Sequence, residues 1–349
     1  MTKGTKGRET NLDLLRVVAS LMVITVHVGN VYVTGERDRV DYNFIVGLFY
    51  CSISVSVALF TFLSGGFLLA KKENSKPSYF YPSILKRRIL FPTLFWSLVY
   101  VLLAYMEEIV EDYANISPFE PFAPLVMLLK GQPCYHLWYM FMLIGLYLMV
   151  PILMRIKCHL GESNFMTLGV LLTMFAVPLS LWGELVWMLY FVKYLGYFIL
   201  GYSLKRYYQK RSKSNAKTFL LLGISIWIIK YISVIMMVHY NFLDPLYLLN
   251  PLSPFNILQA ILFYLFFLNI TIKRGSKYIR KLSRYGFYVY IFHAIYVSII
   301  RALSFKLMKC SYDPLFFIPL VTVIVYMLSL STAYIWMELK DRYRPLLYS

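Results

Sequence analysis

Acidic residues are scarce in this chain, 17 against 35 lysines and arginines in 349 residues, and charged residues of both signs make up only 15%. With 59% hydrophobic and 18% aromatic residues, a chain this poor in charge reads as an integral membrane protein, and no separate soluble domain is expected. Cysteine is scarce too. Cys51, Cys134, Cys158 and Cys310 show no CxxC spacing, which suggests neither a metal site nor a disulfide framework. Internal repeats, low-complexity segments and the paired broken helices of inverted-repeat transporters are not apparent. A net charge of +18 would suit nucleic acid in a soluble protein. Here the basic residues fall in short runs between apolar stretches, so no nucleic-acid partner is expected.

What fills the chain is apolar sequence of membrane length. At about 20 residues per crossing, the stretches predict helices near 12–33, 44–70, 89–106, 136–154, 164–182, 185–204, 217–238, 255–272, 286–304 and 314–336. The expected fold is all-α, a polytopic membrane helix bundle of about ten transmembrane helices, with residues 1–349 as a single transmembrane domain. The first stretch is too long for the apolar core of a secretory signal and no small-residue cleavage site follows it, so it reads as a retained span. With the N-terminus in the cytoplasm, the inner segments hold 26 basic residues and the outer segments 5. Inner runs include Lys3, Lys6 and Arg8, then Lys86, Arg87 and Arg88; the outer residues are Arg37, Arg39, Lys130, Lys306 and Lys309. This asymmetry predicts that both termini are cytoplasmic, in keeping with an even helix count. The connection from Glu107 to Tyr135 then faces outward, as a surface loop or a cover over an outer opening.

Arg16 and His27 share the first apolar stretch, where ionisable residues are rare without a reason. Eleven helical steps separate them by roughly 16 Å, about half the hydrocarbon thickness, so one lies near the cytoplasmic interface and the other past the midplane. Asn11 is a candidate N-cap, and Asp13 falls in the first turn, where a carboxylate suits the helix dipole. Arg16 can bind a phosphate-bearing donor in fork geometry; it can equally snorkel, or pair with Asp13. His27, with Thr25 as the nearby hydroxyl, can take a proton from a hydroxyl or attack a thioester, or serve as a hydrogen-bonded structural histidine.

Further along, Ser64, Gly65 and Gly66 bring small residues to the expected depth of Arg16, for helix packing or to make room for a ligand chain. Lys86, Arg87 and Arg88, followed by Pro92, form an inward basic cluster suited to anionic lipid or to the phosphates of a coenzyme. His136, Trp138 and Tyr139 form an aromatic cluster that anchors a helix at the headgroups or meets the sugar rings of an acceptor. Ser283, Gly286, Tyr288, Tyr290 and His293 make a polar group on the ninth helix. Lys193 and Lys230 lie within spans, and the sequence names no partner for either.

Taken in order, several short motifs cover most of the chain: Asn11-Leu12-Asp13-Leu14-Leu15-Arg16 with the ten-residue gap to His27, Phe62-Leu63-Ser64-Gly65, and Lys86-Arg87-Arg88 with Pro92. His136-Leu137-Trp138-Tyr139 with Pro151, Leu195-Gly196-Tyr197 with Gly201-Tyr202, and Tyr288 to His293 follow. In this order they resemble the acyltransferase-3 family of integral membrane acyltransferases, which includes enzymes that O-acetylate bacterial surface glycans. Gly66 departs from the pattern, since family members more often have an aromatic residue or alanine there.

The resemblance implies a multi-pass enzyme of the bacterial inner membrane. Such an enzyme moves an acyl group, commonly acetyl, from cytosolic acyl-coenzyme A to a hydroxyl of an envelope glycan or lipid-linked sugar, among membrane lipids and without a metal. It also implies that Arg16 and His27 are essential. Joined to the reading of the residues, it makes Arg16, Ser64, Gly65, Lys86, Arg87 and Arg88 the candidates for holding acetyl-coenzyme A. His27 becomes the general base or the acyl carrier, His136, Trp138 and Tyr139 the acceptor side, and Asp13, Tyr290 and His293 supporting residues. The competing class is a transporter or flippase for a lipid-linked glycan, in which Arg16, His27, Lys193 and Lys230 would line a path; the lack of broken helices and repeats argues against it.

Overall fold

The computed structural model describes residues 9–33, 41–70, 85–113, 120–181, 187–209, 215–240, 246–272, 274–307 and 313–343. Among them every regular element is helical: α1 (Thr10–Val33), α2 (Tyr42–Cys51), α3 (Ser56–Leu68), α4 (Phe91–Tyr113), α5 (Ala123–Leu129), α6 (Trp138–Leu181) and α7 (Tyr190–Lys193). The series continues with α8 (Leu195–Gln209), α9 (Ala216–Tyr240), α10 (Leu246–Leu249), α11 (Pro254–Asn269), α12 (Ser276–Leu307) and α13 (Pro314–Tyr343). Seven helical stretches among the described residues are long and apolar enough to cross a membrane, and Phe91–Met106 is a shorter apolar helix. The protein is an all-α polytopic membrane protein.

Three elements depart from the spans read in the sequence, each for a local reason. The 44-residue α6 would reach about 66 Å if straight, twice a hydrocarbon core of about 30 Å. It is broken at Gly161, whose φ of 73° and ψ of 172° suit glycine alone, so the connection expected between the spans 136–154 and 164–182 is helical and turns at this one residue. The second expected span is split between α2 and α3. At the split the Ser52 hydroxyl donates to Phe49 O (2.6 Å) and accepts from Trp227 Nε1 (2.6 Å), while Ser54 Oγ donates to Leu249 O (2.9 Å). The Ser52 hydroxyl thus meets a carbonyl in the last turn of α2, and the two serines tie the break to neighbouring helices. The sixth expected span divides at Tyr194, and α8 is buried without interruption from Leu195 to Lys205.

The chain gathers into two compact units, Met1–Phe60 with Tyr208–Ser349, and Thr61–Tyr207. In the first, α1 packs against α2, α11, α12 and α13, while α9 packs against α11. α1 and α12 run parallel and in step: Arg16 meets Ser283, Ser20 lies against Gly286, and His27 meets His293. Asn11 is not the cap expected of it. The helix already begins at Thr10, and the Asn11 amide reaches across to Phe267 O near the C-terminal end of α11 (2.8 Å).

In the second unit, two glycines set how closely α3 and α8 approach. A Cβ on Gly65 would lie 1.8 Å from Phe198 O, and one on Gly201 would lie 2.1 Å from Phe62 O. Each helix thus presses a glycine against the other's backbone, the packing use of small residues in membrane proteins.

Candidate functional site

The chemistry of the first unit lies along the shared face of α1 and α12. Asp13 sits in the first turn of α1 and is 1% exposed. Its Oδ1 accepts from Arg16 Nη1 at 2.8 Å and from the Ser283 hydroxyl at 2.7 Å. The i,i+3 spacing places Arg16 over Asp13, and Ser283 joins the pair from α12. The Arg16 side chain is 29% exposed. A guanidinium has five N–H donors, enough to serve Asp13, the Ser283 hydroxyl (3.4 Å) and an anion together. The pairing with Asp13 and a phosphate-binding role are therefore compatible in geometry.

One face further along the same two helices, the rings of His27 and His293 stack with centroids 5.4 Å apart and planes 27° from parallel. His293 is fully buried, and its Nδ1 lies 2.6 Å from Tyr290 O. A carbonyl only accepts, so Nδ1 carries the hydrogen and Nε2 is the nitrogen that can receive a proton. Tyr290 thus supports the site through its backbone. His27 is only partly buried, as a group that meets a substrate must be. Thr25 does not serve it, since its hydroxyl returns to Leu21 O (2.9 Å).

In the second unit the sequence placed Ser64 and Tyr139 at different depths; the fold brings them together. The Tyr139 hydroxyl is hydrogen-bonded to the side chains of Thr61 and Ser64. Around them Trp138 packs on Tyr194 (6.0 Å), and Tyr197 meets Phe62 edge-on (5.3 Å). Gly65 belongs to the helix contact with Phe198, and the space beside it is filled by α8. His136 is buried against Tyr100, edge-on at 5.1 Å, and beside Tyr135. Before α4 the chain winds as a π turn, Lys86–Leu90. Lys86 lies 5.3 Å over the Phe91 ring, while the side chains of Arg87 and Arg88 lie outside the described residues.

The intramembrane lysines acquire partners that the sequence could not name. Lys230 is fully buried, its ammonium held by Asn256 Oδ1 (2.6 Å) and Gln259 Oε1 (2.7 Å) on α11. Asn256 passes its own amide hydrogens to Asn250 O (2.7 Å) and Leu248 O (3.3 Å), so the lysine helps tie α9 to the short segment before α11. Lys193 lies 5.7 Å over the Tyr190 ring. The only advance signal for Asn256 and Gln259 was two amides in an apolar stretch, three residues apart on one helical face. Thr61, which completes the Tyr139 cluster, gave none.

An all-helical membrane protein with a carboxylate-backed arginine and paired imidazoles on neighbouring helices is equipped for acyl transfer. The chain belongs to the acyltransferase-3 family: a family model described as an acyltransferase domain matches residues 9–336. No curated protein and no solved structure gives a match. The protein is therefore a membrane acyltransferase.

Proposed function

We propose that this acyltransferase takes its acyl group, an acetyl group, from cytosolic acyl-coenzyme A and passes it to a hydroxyl of a cell-envelope glycan or lipid-linked sugar. The observation that carries the reading is the pair of features on α1 and α12. Arg16 is a partly exposed cation held by a buried carboxylate, and His27 is an imidazole about 16 Å further along the same helix, backed by His293. A phosphate-bearing coenzyme meets the first, and its thioester and an attacking hydroxyl meet the second.

Arg16 binds a donor phosphate by its fork, oriented by Asp13 and Ser283. Lys86, Arg87 and Arg88 supply further positive charge for the donor, and Trp138 and Tyr139 supply aromatic faces and a hydroxyl to a sugar. At the reacting centre His27 removes the proton of the acceptor hydroxyl as its oxygen attacks the thioester carbonyl. The carbon–sulfur bond then breaks, and coenzyme A leaves as the thiol by taking up that proton. In the alternative order the His27 nitrogen attacks the thioester carbonyl, the carbon–sulfur bond breaks and coenzyme A leaves as the thiol with the ring's proton; the acceptor oxygen then takes the acyl group and its proton returns to the ring. In this reading the enzyme sits in the bacterial inner membrane, and the excess of basic residues in the inner segments supports both termini in the cytoplasm.

The test is release of free coenzyme A from acetyl-coenzyme A by purified protein in lipid nanodiscs when envelope glycan is added. Mass spectrometry of the glycan should show one added acetyl per turnover. Turnover without any acetylated product, or none with His27 intact, would overturn the reading.

A further inference from the structure

The end of α1 away from Arg16 carries a polar group that the transfer chemistry does not use. Asp313 caps α13, its Oδ1 accepting from Leu315 N at 2.9 Å, and the same oxygen accepts from the Tyr42 hydroxyl at 3.0 Å. Both bonds go to Oδ1, so the carboxylate has a second oxygen to offer. Tyr42 and Asp313 are exposed, which gives the group an open side. Tyr50 ties α2 to the first turn of α13 by donating to Leu315 O at 2.8 Å. The Asp313 charge acts on the hydroxyls of Tyr50 and Tyr32 as well. The Tyr32 hydroxyl has no hydrogen-bond partner among the described residues, although it is buried. Tyrosines from α1 and α2 thus gather round one carboxylate, and one of their hydroxyls is unmet.

The chemistry on offer fits a sugar. A tyrosine brings an apolar ring and a hydroxyl that both donates and accepts, and a carboxylate accepts strongly from hydroxyls. A sugar presents the complement, apolar ring faces edged by hydroxyls. Phe316, three residues past Asp313 on the same side of α13, adds a ring that is 72% exposed. All of these residues belong to the first unit, as His27 does, whereas Trp138 and Tyr139 belong to the second. Tyr32 lies five helical steps past His27, about 7.5 Å along α1 and about 140° round it. The group therefore lies toward the acceptor end of the helix without facing the reacting bond.

We propose that Tyr32, Tyr42 and Asp313 bind a sugar of the acceptor glycan other than the one being acylated. This rests on the reading of the acceptor as an envelope glycan. A contact remote from the reacting bond helps only an acceptor long enough to reach it, so the group selects glycan chains over single sugars.

Coenzyme A release from acetyl-coenzyme A by the full chain, in nanodiscs of phosphatidylglycerol, tests this with two acceptor probes. One is the purified envelope glycan as a polymer, the other the single sugars obtained from it by acid hydrolysis. The variants are Tyr32→Phe, Tyr42→Phe and Asp313→Asn, the last of which keeps an oxygen to cap α13. KM for the polymer should rise roughly 3- to 10-fold for each tyrosine and roughly 10- to 100-fold for Asp313→Asn, while kcat at saturating polymer stays level. Single sugars should serve wild type and variants equally, well or badly. Removing the unpartnered Tyr32 hydroxyl should leave the melting temperature level or higher. An unchanged KM for the polymer overturns the proposal, as does a loss that extends to single sugars or a lower melting temperature for Tyr32→Phe. A rise in KM confined to nanodiscs that contain phosphatidylethanolamine also overturns it, because the group then holds a lipid headgroup. If the wild type does not acylate the polymer, the glycan reading falls, and the proposal with it.

Discussion

Arg16→Ala removes a structural charge and a candidate ligand group at once, and the geometry at Asp13 shows how to separate them. Asp13 is 1% exposed and bonds the Arg16 guanidinium at 2.8 Å and the Ser283 hydroxyl at 2.7 Å. Stripping the cation from a fully buried pair costs about 3 to 5 kcal/mol. The Arg16 side chain is 29% exposed, and solvent screening brings the expected loss of stability down to about 2 kcal/mol. Loss of a desolvated phosphate contact costs about 2 to 5 kcal/mol of donor affinity, on the order of 30-fold to several thousand-fold in Kd. Asp13→Asn added to Arg16→Ala removes the stranded carboxylate charge. The double variant should therefore recover most of its stability while donor affinity stays low. Arg16→Lys keeps the charge and loses the fork, so its affinity should fall between wild type and alanine. Thermal unfolding and calorimetric titration with acetyl-coenzyme A on the four proteins decide the matter. If the double variant recovers donor affinity along with stability, Arg16 is only the counterion of Asp13 and has no part in donor binding.

His27→Ala should fold, bind coenzyme A with near wild-type affinity and transfer nothing, because the ring acts at the reacting bond and contributes little to donor binding; substantial turnover would remove His27 from the mechanism. An engineered cysteine at Asn115 should be labelled from outside the cell and one at Ser212 should not; both positions lie outside the described residues. The opposite labelling pattern would place the donor face on the wrong side. Gly65→Ala puts a Cβ 1.8 Å from Phe198 O, a clash with backbone expected to cost about 3 kcal/mol or more. Ser64→Ala forfeits a hydroxyl bonded to Tyr139, worth about 1 kcal/mol. Equal melting temperatures for Gly65→Ala and wild type would contradict the described packing of α3 on α8.

Local spacing was the part of the site that the sequence made legible. Asp13 and Arg16 are three residues apart on one helix, so their pairing follows from the helical period, and His27 falls further along the same helix for the same reason. The polar group at Ser283 and His293 was visible as a group, but its target was not. Only the parallel register of α12 on α1 delivers Ser283 to Asp13 and His293 to His27. Depth counted along single spans misled at Tyr139, which a reading by span ends puts at an interface and the fold puts beside Thr61 and Ser64. Small residues had two readings at Gly65, and the backbone of Phe198 selects packing. A break between residues 154 and 164 was legible from the polar segment there, but not that the segment is itself helical and that one glycine in the left-handed region, Gly161, does what a loop would do.

The step-for-step pairing of α1 with α12 also fixes an order of events during synthesis. Ribosomes add roughly 5 to 20 residues per second, so the 267 residues from Arg16 to Ser283 take about 13 to 50 s to make. Through that interval α1 waits in the bilayer for its neighbour. Asp13 is made in the same helical turn as Arg16, so the guanidinium enters the membrane with its counterion already alongside. The stacking partner of His27 arrives only when α12 is inserted. A chain stopped short of α12 would therefore carry the charged half of this arrangement and lack the imidazole pair, and a stalled or truncated product would have no paired imidazoles with which to spend acyl donor.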